Sequence, residues 1–64
     1  KMIHTLRGLG SDHEKLQIEE LQNKTLMITC EDTSGEQTVL LDLDNLHSLI
    51  GVLLHVQAKL KNRR

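Results

Sequence analysis

The stretch that decides the fold is DNLHSLIGVLLHVQAKLKN, residues 44–62. At 100° per residue it predicts a helix whose apolar arc covers roughly 200° of the circumference, whereas one core requires a stripe of about 100°. The surplus predicts a second protein surface against the helix, and another copy of this chain is the first candidate. The residues of the arc are Leu46, Leu49, Ile50, Val52, Leu53, Leu54, Val56 and Leu60.

Charged residues at both ends of this segment favour the helix. Asp44 is the predicted N-cap, because its carboxylate suits the unpaired N–H groups and the positive end of the helix dipole. The basic side chains gather at the opposite end, where cations are favoured. They are Lys59, Lys61, Arg63 and Arg64.

Two strands are predicted before the helix. Residues 25–31, TLMITCE, are β-branched and apolar, with Leu26, Ile28 and Cys30 on one face. Residues 32–36, DTSGE, have turn chemistry, since Asp and Ser bond to the local backbone and Gly accepts positive φ. Residues 37–43 form the next predicted strand, with Val39, Leu41 and Leu43 facing inward. Together these segments predict a β-hairpin.

Residues 11–23 allow two interpretations. The sequence SDHE has the S-x-x-E form of a capping box, which would begin a helix at Asp12. A helix would scatter Leu16, Ile18 and Leu21 around its axis, whereas a strand puts Leu16 and Ile18 on one face. We therefore favour a strand over residues 15–20 and a turn over residues 22–24.

The first segment, within residues 1–14, is either a flexible arm or a short edge element, since Gly8 and Gly10 disfavour a helix. The whole chain, residues 1–64, is predicted to be one α+β domain. Its antiparallel β-meander of two or three strands occupies residues 15–43, and one long C-terminal helix, residues 44–62, packs on the sheet.

Composition also favours an oligomer. The 64 residues contain no aromatic side chain and one cysteine, so large core residues and an internal disulfide are both excluded. Small domains without such supports commonly gain stability by oligomerising. The single cysteine, the lack of a signal peptide and the lack of a long apolar run favour a cytoplasmic protein with no membrane span.

No catalytic, metal or cofactor site is predicted. The four histidines and Cys30 lack the close spacing of zinc ligands, and Cys30 is expected to be a small buried hydrophobe. The acidic residues near the hairpin are interpreted as turn formers, a helix cap and a solvated rim. So small a chain offers little material for a deep pocket, and an enzyme is not predicted.

The predicted function is a non-enzymatic interaction or regulatory module that forms a homodimer and binds another protein. The helix would turn Leu46, Leu49, Ile50, Leu53 and Leu60 toward its own sheet, while Val52, Val56 and Leu54 reach the partner. The predicted dimer or partner interface consists of these three residues together with two from the side that faces the sheet: Val52, Leu54, Val56, Leu49 and Leu60.

Two alternatives remain open. The chain could bind nucleic acid through Lys59, Lys61, Arg63 and Arg64, although a net charge of -1 and the lack of aromatics offer little support. It could instead insert its acidic hairpin, with Glu31, Asp32 and Glu36, into the basic site of a nucleic-acid-processing protein.

Overall fold

The computed structural model describes residues 2–10 and 13–63, and these form an α+β domain. Four antiparallel strands lie side by side in chain order, and one helix follows them. The elements are β1 (Ile3–Arg7), β2 (Lys15–Glu20), β3 (Leu26–Asp32), β4 (Gly35–Leu41) and α1 (Leu43–Lys61). The β-meander is confirmed, but the prediction of two or three strands is wrong, because the sheet has four.

The additional strand is β1, so the edge element, and not the flexible arm, describes residues 3–7. It pairs with β2 from Ile3 opposite Glu19 to Arg7 opposite Lys15. Gly8 continues the pairing, since its N–H donates to the Glu14 carbonyl at 2.9 Å. Residues 15–20 are a strand, as favoured, and the first two residues of the SDHE capping box lie outside the described residues.

Two tight turns connect the three later strands. Between β2 and β3, Asn23 and Lys24 both take positive φ, at 62° and 59°. Between β3 and β4, the Asp32 carboxylate accepts hydrogen bonds from the Ser34 N–H at 2.8 Å and the Ser34 hydroxyl at 2.7 Å. Gly35 then adopts φ 140°, a conformation that favours glycine. Both predicted turns are therefore present, and the predicted Asp, Ser and Gly chemistry is found in the second.

Strand register divides the sheet into two chemically different faces, because directly paired residues point to the same side. Along β3, Leu26, Ile28 and Cys30 share one side, as predicted. Their partners complete what we call the apolar sheet face: Met2, His4, Leu6, Leu16, Ile18, Glu20, Leu26, Ile28, Cys30, Gln37, Val39 and Leu41. Nine of these twelve side chains are apolar, so this face requires a cover.

On the opposite side, which we call the polar sheet face, most side chains are polar and several pair with one another across the strands. Thr29 and Thr38 pair across the strands with their hydroxyls 3.3 Å apart. The Lys15 ammonium lies 3.2 Å from the Glu31 carboxylate. The row near one end of this face runs from Ile3 through Glu19 to Met27 and Leu40, so Glu19 separates Ile3 from the two other apolar side chains. Met27 is half-buried, whereas Leu40 is exposed.

The helix begins one residue after β4. Asp42 alone separates Leu41 from Leu43, and it is the N-cap: its carboxylate accepts the Asn45 N–H at 2.8 Å. The prediction of Asp44 as N-cap is wrong, because Asp42 already has the extended backbone, φ -92° and ψ -175°, that a cap requires. Asp44 lies in the first turn instead, where a negative charge is still favourable.

The helix extends away from the sheet. Among the described elements α1 contacts only β4, so a single chain does not show the predicted helix lying across the sheet. The molecule measures 42 × 29 × 18 Å, and its radius of gyration is 13.5 Å. A compact domain of this length has a radius of gyration of about 11 Å. The direction of the helix follows from the one-residue junction, which leaves no loop over which the chain could turn back.

Candidate protein interface

The single chain buries very little apolar surface. Among the described residues no hydrophobic side chain is fully buried, and Thr29 is the most enclosed residue, at 9% exposure. The chain exposes 5805 Å², whereas a compact monomer of 7.3 kDa exposes about 4,200 Å². The excess of about 1,600 Å² is roughly twice the 800 Å² that each partner buries in a standard protein interface.

The apolar sheet face supplies part of this exposed surface. Leu6 and Val39 lie on the two edge strands and are each more than half exposed. Leu16, Ile18, Leu26 and Ile28 lie between them on the central strands and are only half-buried. A contiguous apolar surface of this kind on a small domain indicates an interaction site.

The helix supplies the rest of the exposed apolar surface. Val52, Leu54 and Val56, the residues predicted to reach the partner, are 58%, 59% and 44% exposed. They lie on both flanks of the apolar arc, with Leu53 and Leu60 between them. The helix therefore presents a continuous apolar surface over about four turns, and the chain itself does not cover that surface.

The predicted intrachain side of the helix is shorter than expected. Leu46 and Leu49 are half-buried, but Ile50, Leu53 and Leu60 are exposed. The difference arises because α1 leaves the sheet after its first two turns. In one chain, Ile50, Leu53 and Leu60 therefore belong with the exposed flank residues.

A groove lies where the helix leaves the sheet. Its volume is about 580 Å³, and one wall is the end of the apolar sheet face. The other wall is the first turn of α1, with Leu43 and Leu46. Leu43 was predicted to face inward at the end of a strand, but it belongs to the helix. This groove is open and mainly apolar, so it is suited to side chains of another polypeptide.

A second groove of about 460 Å³ lies at the far end of the sheet, beside the β3–β4 turn. Leu16 and Cys30 line it, together with the acidic Glu14 and Asp32. The Ser34 hydroxyl and the Ser34 and Gly35 N–H groups hold the pKa of Asp32 below its usual range. This carboxylate therefore remains negative at neutral pH and marks an acidic end of the face.

Cys30 is exposed, so the prediction of a buried Cys30 is wrong. Its side of the strand was predicted correctly, but among the described elements α1 contacts only β4 and leaves Cys30 exposed. The physical reason is the same as for Leu53 and Leu60: the helix that should have buried it points elsewhere.

The basic residues lie at the free end of the helix. Lys59 and Lys61 occupy the last turn, and Arg63 follows the C-cap residue Asn62. All three are exposed, and Arg64 lies outside the described residues. The acidic hairpin residues Glu31, Asp32 and Glu36 lie beside the β3–β4 turn, at the end of the sheet that is farther from the start of α1.

Two further findings concern the described residues alone. Within residues 2–10 and 13–63, no three His, Cys, Asp or Glu side chains come together in a way that would hold a metal ion. The single helix in that part of the chain is too polar to cross a bilayer.

Sequence reasoning missed how much of the exposed apolar surface the sheet contributes. Met2, His4 and Leu6 alternate along β1 and extend the apolar sheet face, but the glycines that follow suggested an arm. The sequence gives no clear alternating signal for this strand, because His4 is polar and the apolar Ile3 lies beside Met2. No protein-family model, curated protein or solved structure matches the chain.

Proposed function

We propose that this domain is a non-enzymatic protein–protein interaction module that works as a homodimer. One observation supports this most strongly: the single chain leaves the apolar sheet face and the apolar arc of α1 uncovered together. The excess exposed surface of about 1,600 Å² is enough for a stable dimer interface.

The partner is best supplied by the chain itself. A small domain that exposes so much apolar surface gains its stability on association, so folding and dimerisation are coupled. A two-fold axis brings both surfaces of each copy to the other copy, which closes the assembly and prevents further growth. A single cysteine, which cannot form a disulfide within the chain, fits a reducing compartment such as the cytoplasm.

The test is the mass in solution of the unmodified chain and two variants. His55 and Val56 are neighbours on α1, but their side chains point about 100° apart, and only Val56 lies in the apolar arc. Val56→Asp should give a monomer or an unfolded chain, whereas the matched control His55→Asp should remain a folded dimer.

Light scattering after size-exclusion chromatography provides the mass, and far-UV circular dichroism reports folding. A Val56→Asp variant that keeps the mass of the unmodified dimer would show that this face of α1 is not at the interface. A folded, unmodified chain of 7.3 kDa would rule out the homodimer itself.

A further inference from the structure

We infer that the two copies exchange their helices, so that residues 50–61 of each α1 lie on the apolar sheet face of the partner. This inference rests on the proposed homodimer and names what covers each surface. It is carried by the direction of the helix, the lengths of the two surfaces and their charges.

The junction at Asp42 favours exchange. The helix starts one residue after β4, and the Asp42 cap and the Leu46 N–H bond to the Asp42 carbonyl at 2.9 Å fix its first turn. Folding back over its own sheet would require this short junction to bend sharply. Short hinges that hold an element away from its own domain are a common origin of exchanged dimers.

The lengths of the two surfaces agree. Leu46 and Leu49 remain half-buried near their own sheet, which leaves residues 50–61 to reach the partner. This segment is about 18 Å long. The seven residues of β4 span about 23 Å, so the exchanged segment would cover most of the partner's apolar sheet face.

The charges also agree. A helix that enters over Leu26 and Leu41 of the partner would carry its basic end toward the β3–β4 turn. Lys59 and Lys61 would then lie beside the partner's acidic groove, which Glu14 and Asp32 border. The same arrangement puts Leu60 near the partner's Cys30, since Cys30 lies about 13 Å along the sheet from Leu41.

A disulfide between two different chains tests this arrangement. One chain is unmodified and carries Cys30 only, and the other carries Cys30→Ser with Leu60→Cys and a longer tag. After the two chains are refolded together and mildly oxidised, the mixed disulfide should form at least fivefold faster than with a control pair in which the second chain carries Cys30→Ser with Ala58→Cys. Ala58 lies about 3 Å along the helix axis from Leu60, but its side chain points about 160° away, on the side of α1 opposite the apolar arc.

Two results would overturn the exchange while leaving the homodimer intact. The first is a dimer by mass in which the Leu60→Cys and Ala58→Cys pairs react equally slowly. The second is rapid closure within one chain that carries Cys30 and Leu53→Cys, since a helix on its own sheet would put position 53 opposite Cys30. An unmodified chain that is monomeric by mass refutes the proposed function before this question arises.

A second measurement requires no substitution. In a dimer made of one isotope-labelled and one unlabelled chain, isotope-filtered NMR detects only the contacts between the two chains. Exchange predicts contacts from the Ile18 and Ile28 methyl groups of one chain to Leu53 and Leu60 of the other. The exchange would be refuted if these contacts between chains were absent while the unfiltered spectrum showed contacts of the same methyl groups with residues of α1.

Discussion

The Asp42 carboxylate accepts a hydrogen bond from the Asn45 N–H at 2.8 Å, and this bond caps the helix directly after the last strand of the sheet. The residue is at once the whole connection between β4 and α1 and the N-cap. The direction of the helix, and with it the exposure of both apolar surfaces, therefore depends on a single residue.

Removing the cap tests this relationship. Asp42→Ala should lower the free energy of unfolding by about 0.5–2 kcal/mol, because an N–H of the first turn loses its partner. Asp44→Ala is the control and should cost less, about 0.3–1 kcal/mol, since Asp44 acts through the helix dipole. Urea denaturation at one fixed protein concentration measures both. Equal losses would show that the cap bond does not stabilise the junction.

The two faces of the sheet make different predictions for two adjacent residues of β4. Val39 lies on the apolar sheet face and Leu40 on the polar sheet face, and both are exposed in the single chain. Val39→Glu should dissociate the dimer, because it would bury an unpaired carboxylate in the interface. Leu40→Glu should leave the dimer intact. Light scattering measures the mass of both variants. If Leu40→Glu dissociates the dimer and Val39→Glu does not, the interface lies on the polar sheet face, which contradicts the proposal.

The turn between β2 and β3 contains a residue in an unfavourable conformation. Lys24 has φ 59°, a value that costs a side-chain-bearing residue roughly 1 kcal/mol or more. Lys24→Gly should therefore stabilise the fold by about 1 kcal/mol, as the favoured Asn-Gly turn does. Asn23→Gly is the control and should gain less, since Asn tolerates this conformation. Thermal unfolding measures both changes, and a loss of stability for Lys24→Gly would contradict this interpretation of the turn.

The β3–β4 turn should respond to acid. The Ser34 hydroxyl, with the Ser34 and Gly35 N–H groups, lowers the pKa of Asp32 from its ordinary value of 3.8. The stabilisation is thus fully present above pH 3.8 and is lost as the pH falls through the lower pKa of the folded state.

NMR titration of the Asp32 carboxyl measures this pKa directly. In a Ser34→Ala variant the hydroxyl bond is absent, so the pKa should rise toward its ordinary value. An Asp32 pKa that is the same in both proteins would show that the hydroxyl bond is not made in solution.

Local sequence patterns predict most of the elements. The helix differs from its predicted range by one residue at each end, and residues 15–20 form the favoured strand. For β1 the sequence allows a flexible arm or an edge element, because Gly8 and Gly10 follow it and its apolar residues, Met2, Ile3 and Leu6, do not alternate. Those glycines lie close to the Glu14 side chain, where the chain turns from β1 into β2.

The direction of the helix could not be predicted from its periodicity. The width of the apolar arc shows how much surface needs a cover but not which surface provides it. That depends on the junction, and both Asp42 and Asp44 have the chemistry of a cap. With Asp42 as the cap, the helix starts one residue earlier than predicted, and Leu53, Leu60 and Cys30 are exposed together.

The most direct measurement is sedimentation equilibrium of the unmodified chain at several concentrations, with helix content followed by circular dichroism in the same samples. A dimer built on the exposed sheet face and α1 predicts twice the 7.3 kDa chain mass, with helix signal lost as dilution lowers the mass. A stable 7.3 kDa species that keeps its full helix signal at every dilution would contradict it.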